Sequence, residues 1–234
     1  ARKAVKIPVI ASINCISNAE WINFAMDIEQ AGASGLELNL SIQPTDSQRH
    51  CSQIEDLYIE TLSEVVKRIN IPVSIKISPY FSGLTKTALR FSFTGIKGMV
   101  LFNRYYTPDF DIENFKVVNG PVFSDPGELN LPLRWIAMLS ERVACDIAGT
   151  TGIHDGEALV KVLLAGAKAG QICSVLYERG VDEVRTMLEF LERYMNRHHF
   201  TTINDFCGKM SMRKTENPAA FERVQFMKYF AEIE

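Results

Sequence analysis

The most constraining feature of this sequence is a regular alternation of short apolar runs with amphipathic segments. The apolar runs have the length and composition of strands, and the segments between them carry apolar residues at helical spacing. Because parallel strands need a crossover of about a dozen residues or more, this alternation predicts a parallel sheet covered by helices. The predicted strands are centred on residues 8–14, 36–41, 72–78, 99–103, 143–148 and 171–177.

Two parallel-sheet architectures compete, and the strand ends distinguish them. A doubly wound dinucleotide-binding sheet should carry G-x-G-x-x-G after its first strand, but residues 14–18 contain no glycine. A barrel instead gathers polar residues at the C-terminal ends of many strands. This second pattern is present, so we predict an α/β fold of the TIM (β/α)8 barrel type. The polar strand ends are Asn14, Asn39, Lys76, Asn103, Thr150, Thr151 and Ser174.

The spacing of the strands predicts that the barrel is incomplete within these 234 residues. About 163 residues separate the first strand start, near residue 8, from the sixth, near residue 171, which gives about 33 residues per unit. Eight units would need about two more than this chain holds. We therefore expect about six of the eight strand–helix units, with the N-terminal two missing or disordered.

The domain organisation follows from the same pattern. We expect a barrel over residues 1–198 and a C-terminal helical extension over 199–234, which either docks on the barrel or forms a homodimer contact. Two β-type runs flank Asn119-Gly120, a dipeptide typical of tight hairpin turns. The sequence thus predicts a hairpin excursion near residues 115–124.

Composition excludes several classes of protein. The chain has 25 Lys and Arg against 28 Asp and Glu and is 47% hydrophobic, unlike a disordered protein or a basic nucleic-acid binder. Five cysteines form no C-x-x-C pair and no zinc-type spacing, which favours a reducing, cytoplasmic compartment and no metal site. The apolar stretch at residues 7–13 is too short to span a membrane. We expect a cytoplasmic protein that acts on a small molecule and binds neither membrane nor nucleic acid.

Lys76 is the most informative single residue. It lies between Ile75 and Ile77 in an apolar strand, and burying an unpaired ammonium costs several kcal/mol, so it should meet an anion or a polar ligand. The segment 149–152, Gly-Thr-Thr-Gly, offers unhindered backbone N–H groups, and late loops of such barrels commonly bind phosphate. For the strand-end asparagines, an ordinary turn-forming role remains open.

Six segments carry a likeness to a known family through their order and spacing: 36–41, 71–79, 101–104, 149–153, 163–167 and 173–177. Together they resemble the FMN-dependent dihydroorotate dehydrogenases over about residues 7–195. The resemblance implies a flavoprotein that oxidises dihydroorotate or a related dihydropyrimidine by hydride transfer to FMN, in pyrimidine biosynthesis. It also implies that Lys76 contacts the N1/O2 side of the flavin, where negative charge accumulates on reduction.

The resemblance assigns further roles by position. Backbone groups in two loops match the FMN phosphate site of the family, one at Thr151 and Gly152 and the other at Cys173 and Ser174. Asn39 and Asn103 match pyrimidine-binding residues, and Asn14 matches a flavin contact found in part of the family.

The position of the expected catalytic base departs from the family pattern. Family members carry Cys or Ser at the fourth position of the motif Asn-x-Ser-x-Pro-Asn. Ile42 occupies this position in the corresponding run, which begins at Asn39. Isoleucine cannot accept a proton, and dehydrogenation needs an acceptor within hydrogen-bond reach. Ser41, His50 and Cys51, which lie in or near the following polar loop, are the alternative bases.

Arg104 is a second departure, because the family commonly has Ser or Thr after the asparagine at 103. The substrate therefore either differs from dihydroorotate or carries an anion that Arg104 can pair with. Two other functions stay open: a lyase or isomerase in which Lys76 forms a Schiff base with a phosphorylated substrate, and a flavin-binding relative without turnover because of Ile42.

Overall fold

The protein contains one curled parallel sheet and one separate antiparallel pair of strands. A computed structural model describes residues 2–14, 18–43 and 45–223, without the side chains of residues 18 and 19. The strand order in the sheet is β1-β2-β3-β4-β7-β8, and every pair in it is parallel. The strands are β1 (Ile10–Ile13), β2 (Gly35–Asn39), β3 (Val73–Ile77), β4 (Gly98–Leu101), β5 (Pro108–Asp111), β6 (Lys116–Asn119), β7 (Asp146–Thr150) and β8 (Ala169–Gln171).

A contact between distant strands shows how strongly the sheet curls. Four strand spacings separate β2 from β8, which would place them about 19 Å apart in a flat sheet. Yet Gln171 Nε2 on β8 donates to Glu37 Oε2 on β2 at 2.6 Å. The sheet therefore bends round until the inward side chains of its late and early strands meet. The predicted partial TIM barrel is confirmed.

Helices cover the outer face of the sheet. Those after the first three strands bury aromatic and aliphatic side chains such as Trp21, Tyr58, Leu62 and Phe91 against it. The helices are α1 (Asn18–Gln30), α2 (Cys51–Arg68), α3 (Leu84–Ser92), α4 (Asn130–Leu139), α5 (Gly156–Ala165), α6 (Ser174–Arg179), α7 (Glu183–Arg197) and α8 (Ala219–Glu222), with short 3-10 helices at Pro126–Leu129 and Ile203–Asp205. None of the helices within the described residues is both long and apolar enough to cross a membrane.

The period of two along β3 separates core from site. Val73, Ile75 and Ile77 are buried in the helix-facing core, whereas Ser74 and Lys76 are only partly buried and face the barrel interior. On the neighbouring strand, Glu37 pairs in register with Ser74, and Asn39 with Lys76. Inward positions are therefore polar, and the apolar core lies between sheet and helices.

The predicted last strand was wrong in its extent. Strand β8 ends at Gln171, and Ser174 begins helix α6 instead of continuing a strand to residue 177. A short apolar run does not by itself distinguish a strand from a buried helical turn. Here only Val175 is fully buried, and Tyr177 is 77% exposed, which fits one face of a short helix.

The hairpin forms after β4, as an excursion, but with a different turn from the predicted one. Strands β5 and β6 pair from 108 to 119, and their turn is closed by Asp111, whose carboxylate accepts from the backbone N–H groups of Glu113 and Asn114. Gly120 lies at the open end, where its N–H donates to Thr107 O at 2.9 Å. The Asp111 turn therefore competes successfully with the Asn119-Gly120 signal.

The segment after α7 packs on its own chain with little helix. Phe206 is completely buried, and the N–H groups of Gly208 and Met212 donate to carbonyls at Leu163 and Ala137. Only Ile203–Asp205 and α8 are helical within 199–223, so the expected helical extension is wrong for most of this stretch. The amphipathic helix predicted farther on lies in 224–234, outside the described residues.

Candidate active site

The C-terminal ends of the parallel strands enclose a cleft. Its central cavity has a volume of about 250 Å³ and includes Lys76, Asn103 and Gln171 in its lining. A second cavity, of about 410 Å³, shares Lys76 and Gln171 with it, and a third, of about 560 Å³, shares Asn103. Because they share walls, the three cavities form one continuous cleft at the face where barrel enzymes carry their sites.

A hydrogen-bonded network of polar side chains forms the floor of the cleft. Lys76 Nζ donates to Gln171 Oε1 at 3.2 Å, and Gln171 donates in turn to Glu37. Ser12 Oγ donates to the other Glu37 oxygen at 2.9 Å, and Glu37 is only 5% exposed. No ion pair joins Lys76 to a carboxylate among the described residues. Since an ammonium has three N–H donors, Lys76 keeps donors for a ligand in the cleft.

Two asparagines bridge the strands on either side of Lys76. Asn103 Nδ2 donates to Asn39 Oδ1 at 2.7 Å, and the Asn103 backbone N–H donates to Ile77 O at 2.8 Å. The side-chain bond orients both amides, because each uses one known atom and leaves the remaining donors and acceptors for a ligand. The structure thus brings together Lys76, Asn39 and Asn103, as the sequence predicted.

The loop after β7 has backbone geometry suited to an anion. Thr151 and Gly152 have φ values of 72° and 78°, and a Cβ at Gly152 would clash with the Leu129 backbone. The Gly152 and Ile153 N–H groups have no protein acceptor in the described part of the chain. Unpaired N–H groups at the edge of a cavity favour an anionic group.

The other predicted phosphate loop joins this one through residues that the sequence analysis missed. Ser174 Oγ accepts from the Ser124 backbone N–H at 2.9 Å and lies 3.1 Å from Ser124 Oγ. Ser124 Oγ is also 2.9 Å from Nε2 of His154, a histidine that is 3% exposed. Cys173 is exposed and lines the central cavity beside Ser174.

Comparison with known proteins identifies the family. The family model for dihydroorotate dehydrogenase matches residues 1–195. The chain belongs to the dihydroorotate dehydrogenase family. The resemblance predicted from the sequence is thereby confirmed, and members of this family are flavoproteins.

The curated relatives are dehydrogenases. A protein from Aeropyrum pernix assigned as a dihydroorotate dehydrogenase A (fumarate) is 29% identical over 86% of this chain and 67% of its own length. The dihydroorotate dehydrogenase B (NAD(+)) catalytic subunit of Thermoplasma volcanium is 25% identical over 88% and 69%. The chloroplastic dihydropyrimidine dehydrogenase (NADP(+)) of Arabidopsis thaliana is 23% identical over 80% of this chain and 48% of its own length.

The family departure at Ile42 has a clear structural setting. The Ile42 side chain packs against the main core, and its backbone N–H donates to Tyr58 Oη at 2.9 Å. Burial raises the pKa of Tyr58 to about 12, so this phenol stays protonated at neutral pH. Neither residue can therefore accept a proton from a substrate.

The three alternative bases are not gathered at the cleft. His50 and Cys51 are exposed where helix α2 begins, and Ser41 is partly buried after β2. None of them lines the three cavities of the cleft. Their catalytic role remains a prediction without support from the geometry.

Arg104 has a protein partner in the position where the sequence predicted a substrate anion. Its Nε donates to Glu128 Oε2 at 2.9 Å, and its terminal nitrogens donate to the carbonyls of Pro121 and Val122. The guanidinium thus holds the loop 121–124 against the cleft. Arg104 also lines the central cavity.

Two further positions complete the inventory of the cleft. Tyr105 Oη is buried without a hydrogen-bond partner among the described residues, and its residue lines the 560 Å³ cavity. Asn14, the predicted flavin contact, directly follows β1, is exposed and lies outside the lining of the three cavities. Within the described residues, no group of three or more His, Cys, Asp or Glu side chains could hold a metal ion.

Proposed function

We propose that this protein binds FMN in the cleft and oxidises dihydroorotate or a related dihydropyrimidine by hydride transfer. The observation that carries the proposal is the Lys76 ammonium, which faces the cleft with no carboxylate partner in the described part of the chain, beside the bridged pair Asn39 and Asn103. A fixed positive charge next to oriented amides suits a ligand that gains negative charge on reduction.

The residues present fit a flavin mononucleotide. Its phosphate needs N–H and O–H donors, and the loop at Gly152 and the hydroxyl of Ser174 supply them. The polar edge of the flavin ring needs a hydrogen-bond donor at a fixed position, which Lys76 supplies. The cavity volumes of about 250 to 560 Å³ are of the order that a cofactor-sized ligand requires.

In this proposal the protein binds, orients and stabilises, while bound FMN supplies the two-electron acceptor chemistry. Lys76 stabilises negative charge at the ligand atom that it contacts. Asn39 and Asn103 hold the substrate through their free amide groups, and Tyr105 Oη lies in the adjoining cavity, available to a polar substrate atom. Water in the cleft takes the proton that Ile42 cannot accept.

A second candidate function rests on Ile42 alone. A family member without a base at this position can retain its flavin site and lose turnover of dihydroorotate. The Schiff-base alternative for Lys76 is not proposed further, because the relatives are dehydrogenases and the polar cleft fits a flavin.

The test of the proposal is flavin binding by Lys76 variants. We expect the purified protein to bind FMN, and Lys76→Ala to weaken that binding by about 10- to 100-fold, since a hydrogen bond to a charged group contributes about 1.5 to 3 kcal/mol. Titration of FMN fluorescence measures the dissociation constants. Anaerobic addition of dihydroorotate then distinguishes the two functions: bleaching of bound flavin supports dehydrogenation, and a spectrum that stays unchanged supports the relative without turnover.

A matched control uses a lysine of the same type outside the cleft. Lys86 is exposed on α3, so Lys86→Ala removes one positive charge without touching the site. We expect its FMN affinity to equal that of the unmodified protein. A colourless protein that takes up no FMN would refute the proposal, and equal losses in both variants would remove the special role of Lys76.

A further inference from the structure

The cleft contains a chain of three hydrogen-bonded side chains that flavin chemistry does not account for. It runs from His154 to Ser124 and on to Ser174, with Nε2–Oγ and Oγ–Oγ distances of 2.9 and 3.1 Å. His154 is buried, whereas both serines line the 250 Å³ cavity. One end of the chain is thus a titratable ring inside the protein, and the other end faces a ligand.

The hydrogen-bonding capacity of a hydroxyl makes the direction of this chain depend on His154. A serine hydroxyl has one donor hydrogen and two acceptor lone pairs. If His154 carries a proton on Nε2, it donates to Ser124 Oγ, and Ser124 donates to Ser174 Oγ. Ser174 Oγ also accepts from the Ser124 backbone N–H, so both of its lone pairs are then occupied. Its own O–H must therefore point to a third partner.

The opposite direction gives the cavity different chemistry. If Nε2 lacks a proton, Ser124 donates to it, and the bond between the two hydroxyls is kept only if Ser174 donates back to Ser124. The outer hydroxyl then has no hydrogen left for a ligand in the cavity. A proton on Nε2 thus lets Ser174 donate to a ligand while the bond between the two hydroxyls is kept.

The charges around the central cavity favour an anion as the third partner. Two cationic side chains contribute to its lining, Lys76 and Arg104, the latter paired with Glu128, and its described lining residues include no Asp or Glu. Gly152 and Ile153, whose backbone N–H groups have no acceptor among the described residues, lie in the same wall. An anion with several acceptor oxygens, such as a phosphate monoester, matches this set of donors.

Charged residues lie close to His154. Glu178 Oε2 lies 3.6 Å from Nδ1, so a carboxylate faces the other ring nitrogen. Arg179 donates to the backbone carbonyl of His154, and the side chain of the neighbouring Asp155 accepts from Ala158 N at the start of α5. Within the described residues, Glu178 is the carboxylate that pairs with the ring.

We propose that His154, Ser124 and Ser174 form a relay that turns the Ser174 hydroxyl toward a bound phosphate monoester. Ser174 is the binding residue, and Ser124 and His154 are positioning residues that act through it. The proposal rests on the proposed function for the identity of the monoester, FMN, but its physical content is the dependence of phosphate binding on the relay.

The first experiment compares a ligand with and without its phosphate. We expect Ser174→Ala and Ser124→Ala to weaken FMN binding by about 10- to 100-fold, the range for one hydrogen bond to a charged group, and to leave riboflavin binding within about twofold. Fluorescence titration at pH 8, where the phosphate is dianionic, measures the dissociation constants of both ligands for the unmodified protein and for each variant. Equal losses for FMN and riboflavin, or no loss, would overturn the relay.

A serine outside the cleft serves as the control. Ser140 is also partly buried, and its hydroxyl makes one hydrogen bond, to Ala165 O, where α4 ends. Ser140→Ala should leave the ratio of FMN to riboflavin affinity unchanged. Far-ultraviolet circular dichroism confirms that each variant is folded before the constants are compared.

The second experiment measures the protonation of His154 Nε2 directly. Nitrogen-15 NMR of labelled His154 distinguishes a protonated from an unprotonated Nε2, and we expect FMN to increase the protonated fraction while riboflavin does not. His154→Gln can place an amide N–H near the position of Nε2, so it should retain the preference for FMN that His154→Phe loses. A ring whose Nε2 signal is the same with FMN as with riboflavin would contradict the relay.

Failure of the proposed function can be separated from failure of the relay. If the protein binds no flavin but binds ribose 5-phosphate, and Ser174→Ala weakens that binding, the relay holds for another phosphate monoester and the FMN proposal fails. If flavin binds with no difference between FMN and riboflavin, the FMN-type cleft survives and the relay is refuted. Binding of neither FMN, riboflavin nor ribose 5-phosphate refutes both.

Discussion

Gln171 lies between two opposite charges, Lys76 and Glu37, and forms a hydrogen bond with each of them. Its amide accepts from Lys76 and donates to Glu37, so the buried carboxylate is satisfied without a direct ion pair. A direct ion pair would neutralise the Lys76 charge inside the protein and weaken its attraction for an anionic ligand. The neutral spacer therefore preserves a positive charge in the cleft.

Tyr58 gives a residue-scale prediction for alkaline pH. Burial raises its pKa from 10 to about 12, so the unfolded state loses this proton before the folded state does. The contribution to stability is fully present below pH 10 and is lost as the pH rises from about 10 to about 12. A shift of this size corresponds to about 2 to 3 kcal/mol. Urea unfolding at pH 8, 10 and 11 should show the decrease, and Tyr58→Phe should reduce its slope.

Two comparisons isolate the Tyr58 contribution. Burial also raises the pKa of Cys145 from 9 to about 11, which lowers stability as the pH rises from about 9 to about 11 in every variant that retains this thiol. The difference between the unmodified protein and Tyr58→Phe cancels that contribution. Tyr177, which is 77% exposed, is the control: Tyr177→Phe should follow the unmodified protein. Parallel slopes for unmodified protein and Tyr58→Phe would contradict the assignment.

At the scale of elements, the sequence predicted those whose local pattern fits one structure only. Strand β3, with Lys76 between two apolar neighbours, is such an element. The hairpin turn was misplaced because two local signals competed and Asp111 accepts two backbone bonds. The strand predicted over 171–177 failed because its apolar run fits either element.

The residues of the candidate site also divide into those with a local sequence signal and those without one. Lys76, Asn39 and Asn103 were predictable because each ends or interrupts an apolar strand. Ser124 and His154 were missed because the bond that joins them spans 30 residues between two loops. Glu37 could have been found by the argument that found Lys76, since it is a charged residue between Leu36 and Leu38.

Arg104 gives the element-scale prediction. Its three donations to Glu128, Pro121 and Val122 hold the loop that carries Ser124. Arg104→Ala should raise hydrogen exchange of the Ser124 N–H, which donates to Ser174 Oγ, by about tenfold, the factor that corresponds to about 1.4 kcal/mol of lost local stability. Mass spectrometry of exchanged peptides measures the effect.

A second arginine supplies the control for this exchange measurement. Arg90 pairs with Glu55 and Asp56 between α3 and α2, so Arg90→Ala removes a comparable set of contacts elsewhere. Its exchange at the Ser124 N–H should match that of the unmodified protein. Equal exchange in this loop for both variants would show that Arg104 does not hold it.

At the scale of the whole molecule, the curl of the sheet and the packing of the C-terminal segment share one property. Both depend on contacts between residues far apart in sequence, such as the bond from Gln171 to Glu37, 134 residues away. The alternation of strands and helices predicts a barrel type, but no local pattern specifies which side chains meet across its interior. The register of parallel neighbours, and not any single motif, brings the polar strand ends to one face.

Phe206 tests whether the segment after α7 is part of the folded unit. It is fully buried in a second apolar cluster with Val160, Leu163 and Leu191, from α5 and α7. Truncating a buried phenylalanine costs about 3 to 5 kcal/mol, so Phe206→Ala should lower the free energy of unfolding by that amount in a single urea transition. Phe93, 75% exposed, is the matched control, and Phe93→Ala should change stability by less than about 0.5 kcal/mol. If Phe206→Ala leaves the transition where it was, or splits off a separate early transition, the segment does not unfold with the barrel. A single shifted transition means that the barrel helices and this segment fold cooperatively, which makes residues 199–223 a structural support for the helix layer behind the loop at Gly152.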